Sequence, residues 1–364
     1  MADWFHARGY DIQVVFFYDR DGIAKDYDAV KAYPIITLDG WTKEISNKRW
    51  LFFPRGLIKL YFLMRRGKFD SILTFTHHGN LIGIPFAWLS GIKIRLATHL
   101  GRILGFKAWQ EKLHTWLINS KLTTGLIANF EDGKTEEIQK GVNPEKVKVV
   151  HIWGELPERR ELEKSDLLIS SGLSDADPLI ISAGRLTYEK GFDLLLDAIP
   201  NVIQKFPDAK FALCGDGFQR EDLEKQARDL GVLNHVKFLG FRSDVAELMM
   251  LSDIYVLPSR SEGMPNAIME AMSLELPVIA FSVGGIPELI IQSQTGILIK
   301  PQDVDALSQG IIDLINDPGK GQKLGQAARR TIREKYNLEE KMEIFEVLLA
   351  PQAVTGGIKK FERK

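Results

Sequence analysis

Short apolar runs alternate with amphipathic stretches along the second half of the chain. From about residue 180, runs such as LIISAG, KFALCG, HVKFLG, DIYVLPS and LPVIAFS are separated by helix-like stretches such as FDLLLDAIPNVIQKF and PNAIMEAMSLE. This alternation predicts a parallel sheet with crossover helices. Such sheets bind ligands beyond the carboxyl ends of their strands, so we expect a functional site in the loops that follow these runs.

The first half shows a similar pattern, with the apolar runs DIQVVFF, YPIITLD, SILTFTH, IKIRLATH, TTGLIANF and VKVVH. We therefore predict two Rossmann-like, doubly wound α/β domains, at residues 1–155 and 156–335, with a linker around residues 151–161. A helix at 336–350 is expected to return to the first domain, and a polar tail follows at 351–364. The chain opens on a helix end instead of the strand and glycine turn that usually begin such a domain. We expect that first strand to be missing.

Composition favours a cytoplasmic location. The 364 residues are 45% hydrophobic with a mean hydropathy of -0.09, and no apolar run reaches the length of about 18 residues that indicates a membrane span. The single cysteine, Cys214, excludes an intramolecular disulfide and a multi-cysteine metal site. It lies in the apolar run FALCG, which predicts a place in the core.

Charge is distributed unevenly along the chain. Residues 1–160 hold 24 Lys and Arg against 17 Asp and Glu, a net +7, whereas the remainder holds 23 against 31, a net -8. All seven tryptophans precede residue 160, and the stretch 48–68 combines seven Lys and Arg with aromatic residues and no acid. Such a stretch is typical of contact with an anionic membrane surface, although a core helix with a solvated basic face has the same pattern.

The segment SRSEGMPNAIMEAM contains two glutamates, Glu262 and Glu270, on either side of a predicted helix start. Pro265 suits the first helical position, and the free N–H groups near Gly263 to Asn266 suit a phosphate. A carboxylate can accept two hydrogen bonds from neighbouring sugar hydroxyls. The alternative is two solvated surface glutamates.

The segment SAGRLTYEKGFDLLL places Arg185 and Lys190 in the loop between a strand and a helix. A guanidinium and an ammonium in that loop could stabilise a departing diphosphate without a metal ion. Taken alone, both residues could equally be surface cations. Their occurrence with the glutamate pair favours a site for a nucleotide sugar.

Five segments together resemble the retaining glycosyltransferases of family 4, namely GRLTYEKG, CGDG, FLGF, SEGMPNAIMEAM and PVIAFSVGGIPELI. The resemblance is close over residues 178–345 and looser over residues 10–160. It implies the GT-B fold, in which two Rossmann-like domains face each other across a cleft. It also implies that residues 156–335 bind the nucleotide-sugar donor and residues 1–155 bind the acceptor.

The resemblance further implies a role for each candidate residue. Arg185 and Lys190 would hold the donor diphosphate, Glu262 the hydroxyls of the transferred sugar, and Glu270 the ribose. The base of the nucleotide would lie against the backbone of Leu239 to Phe241. The remaining donor contacts would come from residues around the crevice, and the full set is Gly215, Gly217, Leu239, Phe241, Gly263, Met264, Pro265 and Asn266.

Histidines of the first half complete the expected site. His99 in RLATHLG ends a predicted strand at the cleft, where the family often has a histidine that contacts the donor sugar. His77 and His78 in FTHHGN are the alternatives, with the acceptor as their expected partner.

No metal or other cofactor is expected. Asp-x-Asp pairs could suggest the metal site of the other glycosyltransferase fold. They occur at Asp19/Asp21, Asp26/Asp28, Asp175/Asp177 and Asp303/Asp305, but such pairs are expected by chance in a chain with 48 acids.

The sequence thus predicts a retaining, metal-independent transferase of a hexose or N-acetylhexosamine. The expected donor is a nucleotide diphosphate sugar, with UDP favoured by its frequency in the family. The expected acceptor is a hydroxyl of a lipid-linked glycan in polysaccharide biosynthesis, at the inner face of the plasma membrane. No nucleic-acid partner is expected. A non-catalytic nucleotide-sugar or glycan-binding subunit and a nucleotide-sugar epimerase of the same fold remain alternatives.

Overall fold

The computed structural model describes residues 1–19, 24, 31–40, 49–101, 107–160, 162, 165–173 and 177–351, with the backbone alone at 49–52 and 165. The chain forms two compact units, of which unit 1 contains residues 1–150 and 338–364 and unit 2 contains residues 151–337. The division at 150/151 and 337/338 differs by a few residues from the predicted divisions at 155/156 and 335/336. Lys48 and the polar tail from residue 352 onward lie outside the described residues.

Unit 1 contains two parallel sheets in its described part. Strands β1 (Val14–Phe16) and β2 (Ile35–Thr37) pair with each other. A second sheet has the order β3-β4-β5-β6. Its strands are β3 (Ser71–Thr74), β4 (Ile94–His99), β5 (Gly125–Ala128) and β6 (Val147–Val149). Each of these six strands falls in one of the predicted apolar runs.

In the described part of unit 1, five helices precede the end of the second sheet. They are α1 (Ala2–Ala7), α2 (Arg49–Gly67), α3 (Thr76–Leu89), α4 (Ala108–Asn119) and α5 (Glu131–Gln139). The helix α3 contacts both α2 and α4 and lies against β3 and β4. Its buried side follows helical spacing, because Asn80, Ile84 and Ala87 are all buried.

Unit 2 is built on one six-stranded parallel sheet with the order β12-β11-β10-β7-β8-β9. The strands are β7 (Leu179–Ala183), β8 (Lys210–Cys214), β9 (Val236–Gly240), β10 (Ile254–Leu257), β11 (Val278–Phe281) and β12 (Ile297–Ile299). The chain runs outward from β7 to β9 and then returns to β10 on the other side of β7. The strand order therefore reverses between β7 and β10, where sheets of this class bind their ligands.

The described part of unit 2 contains eight helices, of which the first precedes β7 and the others lie between or after the strands. They are α6 (Ser165–Ser170), α7 (Phe192–Lys205), α8 (Arg220–Asp229), α9 (Val245–Met250), α10 (Asn266–Ser273), α11 (Ile286–Leu289), α12 (Val304–Asn316) and α13 (Pro318–Lys335). The core is apolar, and the thiol of Cys214 is buried in it as predicted.

The last helix, α14 (Leu338–Leu349), belongs to unit 1. The indole Nε1 of Trp4 donates to Glu339 at 2.7 Å, and the hydroxyl of Tyr10 donates to Glu346 at 2.8 Å. Arg8 also pairs with Glu339. The chain thus returns to the unit in which it began. None of the helices in the described parts of the chain combines the length and apolarity needed to cross a bilayer.

Candidate active site

The loops at the carboxyl edge of the unit 2 sheet approach one another too closely for side chains. A Cβ added at Gly215, whose φ is +138°, would lie 1.9 Å from the carbonyl oxygen of Gly184. A Cβ at Gly217 would lie 2.3 Å from the oxygen of Leu186. The glycines of CGDG therefore let the loop after β8 pack on the loop after β7.

A similar approach joins the loops after β10 and β11. Gly284 has a φ of +53°, and a Cβ there would lie 2.0 Å from the oxygen of Glu262. The N–H of Gly285 donates to the oxygen of Gly263 at 2.9 Å. No signal in the sequence indicated a role for Gly284, because its positive φ, which requires glycine, is visible only in the structure.

Two predicted site residues, Lys190 and Glu262, form an ion pair. The Nζ of Lys190 lies 2.6 Å from Oε1 of Glu262, and the hydroxyl of Ser259 donates to the same oxygen at 2.6 Å. Lys190 lies in a short 3-10 turn after β7, and Glu262 lies in the loop after β10. Neighbouring strands of the sheet therefore bring together residues that are 72 positions apart in the chain.

Arg185 is exposed in the loop after β7. Its guanidinium makes no hydrogen bond or ion pair with any residue that the structure describes, which leaves it available to an anion. The neighbouring N–H of Leu186 donates to the backbone oxygen of Asp216 at 3.0 Å, and this bond ties the loop to the loop after β8.

A second arginine, Arg260, has a structural role that sequence reasoning missed. Its guanidinium bonds both carboxylate oxygens of Asp193, at 2.7 and 2.6 Å, and lies 4.1 Å from the ring centre of Tyr188. Hydrogen bonding to Asp193 raises the pKa of the Arg260 guanidinium. Arg260 thus fixes the loop after β10 against the turn that carries Lys190. The sequence offered no signal, since Arg260 and Asp193 are distant in the chain.

The N-terminus of α10 lies four residues after Glu262. The helix begins at Asn266, and Pro265 is its N-cap with extended backbone, so the prediction of Pro265 at the first helical position was wrong by one residue. Pro265 accepts from the N–H groups of Ile268 and Met269. Among the described residues, the N–H groups of Asn266 and Ala267 have no backbone partner. Such groups at a helix start suit an anion.

Glu270 lies in the second turn of α10, as predicted. Burial raises the pKa of its carboxyl group. The buried hydroxyl of Tyr255 donates to Ala183 at 3.2 Å, and its pKa is raised by burial and then by the charges of Glu262 and Glu270. Glu262 in the loop after β10 and Glu270 in the helix that follows this loop both come after the carboxyl end of β10.

The segment predicted to meet the base, Leu239 to Phe241, lies at the end of β9. The oxygen of Gly240 accepts from the N–H of Gly215 at 2.7 Å, so this segment adjoins the CGDG loop. The ring of Phe241 is 88% exposed. Met264 is buried and Gly263 is half-buried in the loop before α10.

His99 of unit 1 is fully buried, in contrast to the expectation that it would face an open cleft. Its Nδ1 lies 3.1 Å from Oε1 of Glu137 on α5. The reason is the close packing of α5, where a Cβ at Gly133 would lie 2.8 Å from Cδ2 of His99. Of the two alternatives, His77 is also buried, and His78 is exposed.

A polar cluster surrounds Glu137. The Nε2 of His77 and the Nδ1 of His114 each lie 3.7 Å from its carboxylate, and Lys140 lies 3.3 Å from it. Although burial opposes ionisation, the contacts with His77 and His99 hold the pKa of Glu137 well below its usual range. Burial lowers the pKa of His114 to about 4. The carboxylate is thus ionised and the ring of His114 is neutral at neutral pH.

Within the described residues, His77, His114 and Glu137 have spacing that could hold a metal ion. The hydrogen bonds of Asn80 argue for a different role. The N–H of Thr98 donates to Oδ1 of Asn80, so Nδ2 must be the donor that lies 3.0 Å from Nε2 of His114. The neutral ring of His114 then accepts through Nε2 and carries its proton on Nδ1. Nδ1 is the nitrogen that faces Glu137, and a nitrogen that carries a proton has no lone pair for a metal ion. We therefore describe this group as a hydrogen-bonded network.

One of the Asp-x-Asp pairs can be assigned a structural role. Asp303 caps α12, because its side chain accepts from the N–H of Ala306 at 3.0 Å. Asp19 accepts from the N–H of Ala24 at 2.9 Å. The other pairs include positions outside the described residues, which are Asp21, Asp26, Asp28 and Asp175.

Residues 163–331 match the family described as glycosyl transferases group 1. This segment is therefore similar to the glycosyltransferase domain of group 1. This domain covers most of unit 2 and includes each of the candidate residues from Arg185 to Glu270.

Relatives of the glycosyltransferase domain include enzymes with lipid-linked acceptors in their names. A UDP-Gal:alpha-D-GlcNAc-diphosphoundecaprenol alpha-1,3-galactosyltransferase from Escherichia coli is 29% identical over 318 residues, which are 82% of this chain and 79% of the relative. An uncharacterized glycosyltransferase from Methanocaldococcus jannaschii is 32% identical over 58% of this chain. The alignment spans about half the length of that archaeal relative, 52%.

Solved structures show the same architecture as the whole chain. Anabaena HepE in complex with UDP is 25% identical with a TM-score of 0.77, over 92% of this chain and 91% of that one. A sucrose-phosphate synthase from Thermosynechococcus elongatus, 19% identical, shares the fold with a TM-score of 0.78 over 98% of this chain and 92% of its own. The predicted α/β fold of the GT-B class is confirmed.

Proposed function

We propose that the protein is a retaining, metal-independent glycosyltransferase. In this proposal it moves a hexose or N-acetylhexosamine from a UDP-sugar to a hydroxyl of a lipid-linked glycan in polysaccharide biosynthesis. The observation that carries the proposal is the Lys190–Glu262 ion pair, formed where the strand order reverses and followed directly by the N-terminus of α10. The UDP complex of HepE and the name of the Escherichia coli relative support the choice of donor and acceptor.

The proposal gives each group at the carboxyl edge of the sheet one task. Arg185, Lys190 and the N–H groups at the start of α10 stabilise the negative charge that develops on the diphosphate. Because Lys190 and Ser259 already occupy Oε1 of Glu262, the sugar hydroxyls would meet Oε2. Glu270 receives the ribose hydroxyls. Unit 2 thus binds the donor, and unit 1 binds the acceptor.

The transfer breaks the bond between the anomeric carbon and the diphosphate oxygen and forms a bond from that carbon to the acceptor oxygen. The acceptor hydroxyl approaches the face that the diphosphate leaves, and its proton passes to the departing phosphate oxygen. Catalysis then rests on positioning and on stabilising the charge of the leaving group. Retention follows from this same-face attack.

The proposal places the enzyme at the inner face of the plasma membrane, where a lipid-linked acceptor would be available. The stretch 48–68 and the net charge of +7 over residues 1–160 support contact with anionic lipid.

The decisive experiment offers the purified protein a panel of UDP-, GDP- and ADP-sugars with a lipid-linked glycan acceptor, in the presence and absence of EDTA. We expect release of UDP that requires acceptor and is unchanged by EDTA, with the donor's anomeric configuration kept in the product by NMR. A requirement for manganese would contradict the metal-free step. Conversion of one donor sugar into another without acceptor would assign an epimerase, and donor binding without turnover would assign a binding subunit.

A further inference from the structure

The helix α4 has two apolar sides, and the described residues of the chain cover only one of them. Leu117 and Ile118 face the core of unit 1 and are buried. Trp109, Leu113 and Trp116 follow the spacing i, i+4, i+7 on another side, and the two indoles are 61% and 59% exposed. A helix side with two exposed tryptophans is a candidate for contact with something outside the chain.

The two neighbouring helices extend this apolar surface. At the end of α3, Trp88 is 50% exposed and Leu89 is exposed beside it, while α2 exposes Ile58 and Phe62. Because α3 contacts both α2 and α4, the three helices form one layer. We call the exposed apolar side chains of this layer the aromatic face, and its members are Ile58, Phe62, Trp88, Leu89, Trp109, Leu113 and Trp116.

Hydrogen bonds hold the ends of the three helices at one edge of the layer. Nη1 of Arg65, near the end of α2, lies 3.5 Å from the oxygen of Ser90 just after α3. The guanidinium of Arg95 bonds the oxygen of Lys93 at 2.8 Å and those of Lys121 and Leu122 at 3.1 and 2.5 Å. The loop after α3 is therefore tied to the loop after α4. These hydrogen bonds join the ends of the three helices that carry the aromatic face.

The surroundings of the aromatic face are strongly basic. Residues 49–121 contain twelve Lys and Arg and two acids, Asp70 and Glu111. Arg66, Lys93 and Lys112 are among the exposed cations, and the guanidinium of Arg66 lies 5.3 Å from the ring centre of Phe62. A partner for this surface must accept both apolar side chains and positive charge.

We propose that the aromatic face is a docking surface for an anionic lipid bilayer. Indole rings favour the level of the lipid head groups, because one side is apolar and the N–H remains hydrated. The exposed leucine and isoleucine side chains would enter the acyl boundary, and the basic side chains would lie among the phosphates. This inference deepens the proposed function, but vesicle binding requires neither donor nor transfer.

The aromatic face extends the expected membrane contact beyond the stretch 48–68. In α2, Leu60 and Met64 are buried, and the Nζ of Lys59 lies 3.3 Å from the oxygen of Leu38. Part of the helix is therefore engaged inside unit 1. The described part of α2 contributes Phe62 and Ile58, whereas the exposed indoles lie on α3 and α4.

The test measures binding of the full chain to vesicles of phosphatidylcholine and phosphatidylglycerol in equal parts, at low salt, by co-sedimentation. We expect binding to these vesicles and little to pure phosphatidylcholine. Trp109→Ser with Trp116→Ser should weaken the partition constant about tenfold. Arg66→Glu with Lys112→Glu should weaken it about 30-fold or more at low salt.

Matched controls lie in unit 2, where Phe218 is an exposed aromatic residue and Lys225 and Arg228 are exposed cations. Phe218→Ser, and Lys225→Glu with Arg228→Glu, should leave vesicle binding unchanged.

Three results would overturn the inference. The first is absence of binding to the anionic vesicles at low salt, and the second is equal binding by the tryptophan variant. The third is a dimer that analytical ultracentrifugation detects in the unmodified chain and not in the tryptophan variant. The aromatic face would then be the contact surface between two copies of the chain. Loss of sugar transfer with intact vesicle binding would instead count against the proposed function alone.

Discussion

At the scale of single residues, the candidate site combines buried charge with close backbone packing. Glu262 is held by a cation and a hydroxyl, whereas Glu270 is partly buried and the pKa of its carboxyl is raised. When the pKa of a carboxyl group is higher in the folded than in the unfolded protein, the group lowers the stability at any pH above the folded pKa. At a pH below the unfolded pKa it has no such effect. Glu270 therefore lowers stability at neutral pH, which suits a residue kept for binding.

Replacing Glu270 by glutamine tests this interpretation. We expect Glu270→Gln to weaken UDP binding by about 10- to 100-fold, because a charged hydrogen bond to the ribose contributes about 1.5 to 3 kcal/mol. The same variant should unfold at an equal or higher urea concentration, since burial of the charge is relieved. Calorimetry with UDP and urea denaturation measure the two effects. The exposed Glu221→Gln is the control, and an unchanged UDP affinity in Glu270→Gln would remove this residue from the site.

At the scale of elements, the glycines decide how the strand loops of unit 2 meet. The loop after β8 passes over the loop after β7 at Gly215, and the loop after β11 passes over the loop after β10 at Gly284. These crossings hold Arg185, Lys190 and Glu262 at one edge of the sheet. A side chain at either crossing would have to move backbone atoms.

The variant Gly215→Ala should show the cost of such a side chain. The added Cβ would lie 1.9 Å from a backbone oxygen at a φ of +138°, so we expect a loss of about 3 kcal/mol or more in the free energy of unfolding. Gly231→Ala is the matched control, because its φ is +71° but no atom lies within 4 Å of the added Cβ. It should lose only about 1 to 2 kcal/mol. Equal losses in urea denaturation would contradict the close approach.

At the scale of the whole molecule, the chain makes two compact units with separate interiors of different character. Unit 2 has a large apolar core around its six-stranded sheet. Unit 1 buries three histidines and Glu137 beside a smaller apolar cluster. Acid should therefore weaken the two units unequally.

We expect the stability of unit 1 to fall between pH 6.5 and about 4. Burial lowers the pKa of His114 from 6.5 to about 4, so in this range the unfolded ring binds a proton that the folded ring does not. Stability is fully present above pH 6.5 and declines by about 3 kcal/mol as pH falls to 4. Hydrogen exchange should show the loss in β4 and β5 and much less in β7 and β8. In His114→Asn the decline should be smaller, and an unchanged decline would assign it to other groups.

Much of the fold could be predicted from the sequence, as could the candidate residues that unit 2 brings to one edge of its sheet. Strand positions followed from apolar runs because buried parallel strands need continuous apolar sequence. Glu262, Glu270, Arg185 and Lys190 stood out because strand ends and a helix start were visible beside them in the chain. These signals are local, and local sequence suffices to find them.

Only the tertiary structure decided which of these residues contact one another and which side chains of the first half of the chain remain exposed. The sequence predicted that His99 lies at an open strand end, but α5 packs over it. This packing brings His99 against Gly133, which is 34 positions away in the chain, so it could not be seen in the local sequence. Likewise, the sequence places all seven tryptophans before residue 160 but does not show which of them are buried. Which of them remain exposed depends on which side of each helix the sheet covers, and that is set when the helices pack together.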